Sequence, residues 1–229
     1  MRRAENERTL IVPVRNAELE GDLAIPSNAR GLVLFAHGSG SSRKSPRNRF
    51  VARALRDRGL GTLLFDLLTA SEESRDAVDA QLRFDIPLLA GRLAEVTIWM
   101  REQENARKLA FGYFGASTGA GAALIAAAQR PDAVAAVVSR GGRPDLAGAS
   151  LARVRAPTLL IVGGDDTTVL QLNREALEQI PGPRQLAIVP GATHLFEEPG
   201  TLEQVAQLAG DWFARHLGVA SEAKLGANP

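Results

Sequence analysis

Ser117 stands at the centre of Gly115-Ala-Ser-Thr-Gly119, between an apolar run, Leu109 to Phe114, and an alanine-rich one, Ala120 to Gln129. A serine hydroxyl is a weak nucleophile in neutral water. It attacks a carbonyl when a base takes its proton, and the base works best when a carboxylate orients it. Glycine two residues to either side suits a serine lifted on a tight strand-to-helix turn, where neighbouring Cβ atoms have no room. An acid follows in chain order, in Gly163-Gly-Asp-Asp166, and a base comes last, in Pro190-Gly-Ala-Thr-His194. Each follows a short apolar run, so a parallel sheet would gather Ser117, Asp166 and His194 at the carboxyl ends of its strands. Asp166 is preferred to its neighbour Asp165 because Thr167-Thr-Val169 opens a helix directly behind it. Of the other two histidines, His216 falls on the last helical segment and is expected to be exposed. His37, ahead of Gly38, is expected to hold a loop through hydrogen bonds.

Acyl transfer through a tetrahedral intermediate also needs amide donors aimed at the developing oxyanion. The amide after the nucleophile, Thr118, is one candidate. His37-Gly-Ser-Gly-Ser-Ser42 supplies the other: its glycines let the backbone turn inward, with the amide of Ser39 the first choice and that of Gly38 the second. Arginines cluster in the same segments, namely Arg43, Arg47 and Arg49 after this loop and Arg140 and Arg143 in Ser139-Arg-Gly-Gly-Arg-Pro-Asp145. They are either loop staples to nearby carboxylates or, with Arg43 and Arg140 foremost, groups that bind an anionic substrate.

The elements that would position these residues alternate. Thr9 to Val14 and Glu18 to Ile25 read as an antiparallel hairpin at one sheet edge. A wholly apolar run at Leu32–Ala36 reads as a strand covered on both faces, Leu60–Phe65 repeats the type, and Leu109–Phe114, Ala133–Val138, Thr158–Val162 and Gln185–Val189 read as further strands. Helical patterns lie between them, at about 47–58, 87–105, 118–129, 168–180 and 202–216. In the second, Leu89, Leu93, Val96 and Met100 mark one face, Pro87 opens the helix and Asp85 is near its cap. Strand–helix alternation predicts an α/β fold with a mainly parallel twisted sheet, an antiparallel N-terminal edge and helices on both faces. No repeat or linker divides the chain, so residues 1–217 read as one domain and the polar segment 218–229 as a frayed tail.

The sequence has 229 residues, a formal net charge of +1 and no cysteine. The charge and the lack of a basic tract interleaved with aromatics argue against nucleic acid. Without cysteine there is no disulfide, thiolate metal site or cysteine nucleophile, and the scattered histidines suggest no metal. Met1-Arg-Arg begins like a twin-arginine signal, but no apolar stretch or cleavage site follows, and no run has membrane-spanning length. A cytoplasmic protein acting on a small molecule without a cofactor is the expectation.

The four motifs and the order of elements together resemble the α/β-hydrolase superfamily, in its compact dienelactone-hydrolase-like form, over about residues 9–217. The resemblance implies Ser117 as nucleophile, His194 as general base and then acid, Asp166 as its orienter, and the amides of Ser39 and Thr118 as oxyanion hole. Dienelactone hydrolases proper carry cysteine at the elbow, so the resemblance extends to ester chemistry rather than to the dienelactone itself. Only a short helix's worth of chain separates the strands ending near Ser139 and beginning near Thr158, which predicts no large cap and a shallow pocket for small to medium acyl groups. The implied activity is hydrolysis of carboxylic esters, including lactones or thioesters. The same acyl-enzyme would serve an acyltransferase or a perhydrolase, and a catalytically dead binding module is hard to reconcile with an intact set of residues. A remoter alternative, an NADP-binding short-chain reductase, rests on the spacing Gly115-x-x-x-Gly119-x-Gly121 and on Ser139-Arg140. Against it, several strands precede the motif, and the only tyrosine, Tyr113, lies inside the strand before it.

Overall fold

Most of the apolar runs form the interior of an eight-stranded sheet, in a computed structural model that describes residues 7–217; the run at Gln185–Val189 is instead a partly exposed edge strand, with only one neighbouring strand to cover it. The tail expected at 218–229 lies outside the described residues. The strands are β1 (Arg8–Val14), β2 (Ala17–Ala24), β3 (Gly31–Ala36), β4 (Gly61–Phe65), β5 (Ala110–Ala116), β6 (Ala136–Arg140), β7 (Thr158–Gly163) and β8 (Arg184–Val189). In space they run β1-β2-β4-β3-β5-β6-β7-β8. β1 pairs antiparallel with β2, and β2 with β4, while every pairing from β4 to β8 is parallel. The N-terminal hairpin is thus the antiparallel edge expected.

Parallel neighbours require crossovers, and the helices that make them cover both faces of the sheet. The helices α1 (Pro46–Asp57) and α6 (Thr201–Leu217) pack on one face, where Phe35, Phe114, Trp212 and Phe213 are buried together. A second layer, α3 (Ile86–Glu102), α4 (Thr118–Gln129) and α5 (Thr167–Gln179), covers the other face, with Leu93, Met100, Tyr113 and Leu124 in its core. Tyr113 and Phe114, consecutive in β5, enter opposite cores, as strand alternation demands. The predicted apolar stripe of α3 is buried, Pro87 lies in its first turn, and Asp85 caps it by accepting from the Leu88 amide at 3.0 Å.

Two departures from the predicted elements bear on the site. β6 begins and ends later than the predicted 133–138, because a turn closed by Ala133 N–H to Arg130 C=O delays it. That shift places Ser139 and Arg140 inside the strand, beside the elbow. A helix not expected from the sequence, α2 (Ala70–Asp79), fills part of the connection between β4 and α3. Between β6 and β7, residues 144–153 form 3-10 turns packed on α4, and no separate cap is inserted. Among the described residues no helix is long and apolar enough to cross a membrane.

Candidate active site

The turn from β5 into α4 sets Ser117 in a backbone conformation that L-residues rarely adopt, with φ +50° and ψ −122°. Three hydrogen bonds hold it: Ser117 N–H donates to Arg140 C=O (3.2 Å), and Ser117 C=O accepts from Ala120 N–H and Arg143 N–H (both 3.0 Å). The flanking glycines are there for space. A Cβ on Gly115 would lie 2.5 Å from Ala120 Cα, and one on Gly119 would collide with the Ala36 carbonyl. Any side chain at either position would push α4 off the sheet.

Asp166 leaves the end of β7 as the N-cap of α5, and His194 lies on the loop between β8 and α6. Thr193, just before the histidine, is tied down by its hydroxyl to Glu198 Oε1 (2.6 Å) and its amide to Glu198 Oε2 (3.1 Å). The backbone just after it turns through a left-handed residue, Phe196 (φ +56°), whose ring is buried in the α1/α6 core. This geometry brings the three distant residues together. His194 Nδ1 lies 2.7 Å from Asp166 Oδ2, and its Nε2 lies 3.3 Å from Ser117 Oγ. A carboxylate can only accept from Nδ1, so that nitrogen carries the proton and the Nε2 lone pair faces the serine. Asp165, the alternative acid, makes no such contact; its amide donates to Ala192 C=O at 3.0 Å. The Asp166 side chain is 14% exposed and that of His194 38%, so the imidazole is reachable from solvent.

The other histidines keep clear of this chemistry. His37 is buried, with Nε2 accepting from Leu67 N–H and Nδ1–H donating to Gly38 C=O, both at 3.0 Å. Burial lowers its pKa, and the two bonds fix a neutral tautomer that clips the Gly38–Ser42 loop to the end of β4. His216 is half-buried against Trp212 rather than exposed, with ring centroids 4.5 Å apart.

In the loop after β3, Gly38 and Ser39 abut the serine: a Cβ on Gly38 would sit 3.1 Å from Ser117 Cβ. The two amides expected to face an oxyanion differ in state. Thr118 N–H, in the first turn of α4, has no acceptor among the described residues. Ser39 N–H instead donates to Thr118 Oγ1 at 2.8 Å. The Thr118 side chain is an addition that motif reading missed, since the motif specifies only its amide.

Arg43 requires a correction. It was a candidate for a substrate's anionic group, but its guanidinium is paired with Asp66 and Glu20, and its amide donates to Asp66 Oδ1 at 2.7 Å. It staples the loop to the sheet edge and has no charge to spare. Arg47 pairs with Glu197 (3.0 Å), Arg49 with Glu7 (2.9 Å) and Arg143 with Asp145 (2.7 Å). Arg140 alone of the five is buried without a carboxylate partner among the described residues; its Nε is unpaired and its guanidinium lies 5.8 Å from the Phe196 ring centroid. Burial, reinforced by the nearby Arg47 charge, brings its pKa down to about 10.

A cavity of about 460 Å³ is walled by Gly38, Ser39, Ser45, Leu68, Glu73 and Arg83; it meets the site through the Gly38–Ser39 loop, and Ser117, His194 and Arg140 do not line it. Its far wall comes from the unexpected α2 and the turn after it. The signal was present in Thr69-Ala-Ser-Glu72, a capping box whose Thr69 and Glu72 each bond the other's backbone amide.

The sequence model of the dienelactone hydrolase family matches residues 20–218. A solved structure, dienelactone hydrolase from Anabaena variabilis, is 57% identical, covers 94% of this chain and all of its own, and superposes with a TM-score of 0.93. Carboxyl esterase 2 of Tuber melanosporum shares the fold at 15% identity, with 93% of this chain and 88% of its own covered and a TM-score of 0.73. Two Mycobacterium tuberculosis proteins, of strains CDC 1551 and H37Rv, are 60% identical over 90% of this chain and are provisionally named phosphoribosyl transferases. The chain spans about half of their length, 47%.

Proposed function

Because this chain belongs to the dienelactone hydrolase family, we propose that it hydrolyses small to medium carboxylic esters, lactones or thioesters through an acyl-enzyme on Ser117. The observation that carries the reading is the chain of contacts from Asp166 Oδ2 to His194 Nδ1 and from His194 Nε2 to Ser117 Oγ, at 2.7 and 3.3 Å. His194 takes the serine proton as Oγ bonds to the carbonyl carbon, and gives that proton to the leaving oxygen or sulfur as the bond to it breaks. Water then loses a proton to the same nitrogen, adds to the acyl carbon, and releases the acid as the proton returns to Ser117. The solvent-reachable imidazole gives water direct access to the base. The transferase in the names of the M. tuberculosis relatives is not adopted, since the chain spans only about half of those proteins.

Arg140, and not Arg43, remains in the proposal as the group that attracts an anionic acyl portion, because among the described residues its buried guanidinium pairs with no carboxylate. A fluorophosphonate probe should label Ser117, identified by peptide mapping, and the enzyme should turn over a panel of esters graded in acyl length and charge. Rates should peak at short to medium chains and favour carboxylate-bearing esters at low salt. Ser117→Ala should lower kcat on the order of 10⁶-fold. Labelling elsewhere, or an Ala variant of undiminished activity, would refute the reading.

A further inference from the structure

We propose that the Thr118 hydroxyl is itself an oxyanion donor, with the Ser39 amide acting through it and not on the substrate directly. This rests on the serine-hydrolase reading above. The Ser39 amide is already engaged, 2.8 Å from Thr118 Oγ1, while Thr118 is almost fully buried at 5% exposure. Having accepted from Ser39, the hydroxyl still has its own proton, for which the described residues provide no acceptor. The Thr118 backbone N–H, in the first turn of a helix, is likewise unspent. One residue adjoining the nucleophile therefore offers two free donors.

Electrostatics favours keeping this arrangement when the tetrahedral intermediate forms. For Ser39 to reach the oxyanion directly, it would have to give up its 2.8 Å bond to Oγ1. Turning the hydroxyl proton toward the oxyanion instead retains the amide bond and adds a donor. A hydroxyl that accepts from an amide is polarised and donates more strongly, so the Ser39 amide strengthens the contact from one bond away. Side-chain hydroxyls serve this purpose as well as amides do when they are pre-positioned, and the buried contact with Ser39 holds this one in place. No proton is transferred in the step: the hydroxyl keeps its hydrogen and only redirects it.

The proposal is tested by comparing Thr118→Val, which keeps the shape and removes the hydroxyl, with Thr118→Ser, which keeps the hydroxyl. The Val variant should lose about a hundredfold in kcat with KM little changed, the scale of losing one oxyanion donor. Its affinity for an alkyl boronic acid, whose tetrahedral adduct mimics the intermediate, should fall by a similar factor. The Ser variant should stay within a few-fold of the parent in both readouts. If Val proves unfolded by thermal denaturation, Thr118→Ala removes the same hydroxyl and is read the same way. Undiminished kcat without the hydroxyl would overturn the proposal by showing that the freed Ser39 amide suffices, and equal losses in Val and Ser would overturn it in favour of packing. If the parent protein fails to label at Ser117, the serine-hydrolase reading fails first and this inference falls with it.

Discussion

At the scale of single residues, Ser117 carries strained backbone that its neighbours must offset. A left-handed, non-glycine conformation costs on the order of 1–3 kcal/mol and persists only where the surroundings leave no alternative. Here β6 takes the Ser117 amide, while Ala120 and Arg143 take its carbonyl. The proposed acid has a neighbour of the same type. Asp165 and Asp166 are adjacent, yet only the second occupies the N-cap position of α5 and meets the imidazole. Asp166→Asn should lower kcat about 10⁴-fold, because an amide no longer enforces the tautomer that leaves Nε2 free. Asp165→Asn should stay within a few-fold of the parent, and steady-state kinetics on one activated ester compares the two. Ser117, Asp166 and His194 were legible because each is embedded in glycines or a helix start that its local backbone demands. The fates of Arg43 and the Ser39 amide were not legible. They depend on partners 23 and 79 residues away, and sequence spacing carries no information about those contacts.

At the scale of elements, the strands and all five helices on the sheet faces could be placed closely from apolar runs and caps, whereas α2 escaped notice. Its residues bury almost nothing, Asp76 alone being fully enclosed, so it has no apolar stripe to betray it. Polar contacts hold it instead. Glu72 accepts from both terminal nitrogens of Arg92 at 2.6 and 2.7 Å, and the same guanidinium donates to Leu67 C=O at 2.7 Å. The Arg92 hydrogen bonds, outweighing burial, lower the Glu72 pKa from its usual 4.5 to about 2. A depressed carboxyl stabilises the fold above its unfolded value and ceases to do so as pH falls through the folded one. Glu72→Gln should therefore cost about 2 kcal/mol near neutrality, since it leaves a buried guanidinium short of its charged acceptor. In thermal melts run from pH 7 downward, the gap between parent and variant should be full above about 4.5 and close toward about 2. Because α2 forms the far wall of the cavity, KM should rise with less change in kcat.

For the molecule as a whole, the parallel direction of β3 to β8 decides where chemistry can occur. All these strands point their carboxyl ends to one rim, and every residue discussed above as a reactant or donor lies just past such an end. The mainly parallel sheet and its antiparallel edge hairpin were legible in outline, because hairpin and βαβ units differ in the lengths of their connections; the spatial order of the strands was not. The alternative reading as a reductase ends at the single tyrosine. Tyr113 is fully enclosed between β5 and α3, its hydroxyl 2.6 Å from Thr97 Oγ1, and burial raises its pKa above the ordinary phenol value. Its seclusion also gives the chain an optical gauge. With one phenol in 229 residues, and that one sealed from hydroxide, alkali can produce the ultraviolet signature of phenolate only by opening the structure. An absorbance titration in base should therefore trace a cooperative step coincident with the loss of far-ultraviolet circular dichroism, and a smooth ionisation curve ahead of it would mean that the ring is more accessible than its packing implies.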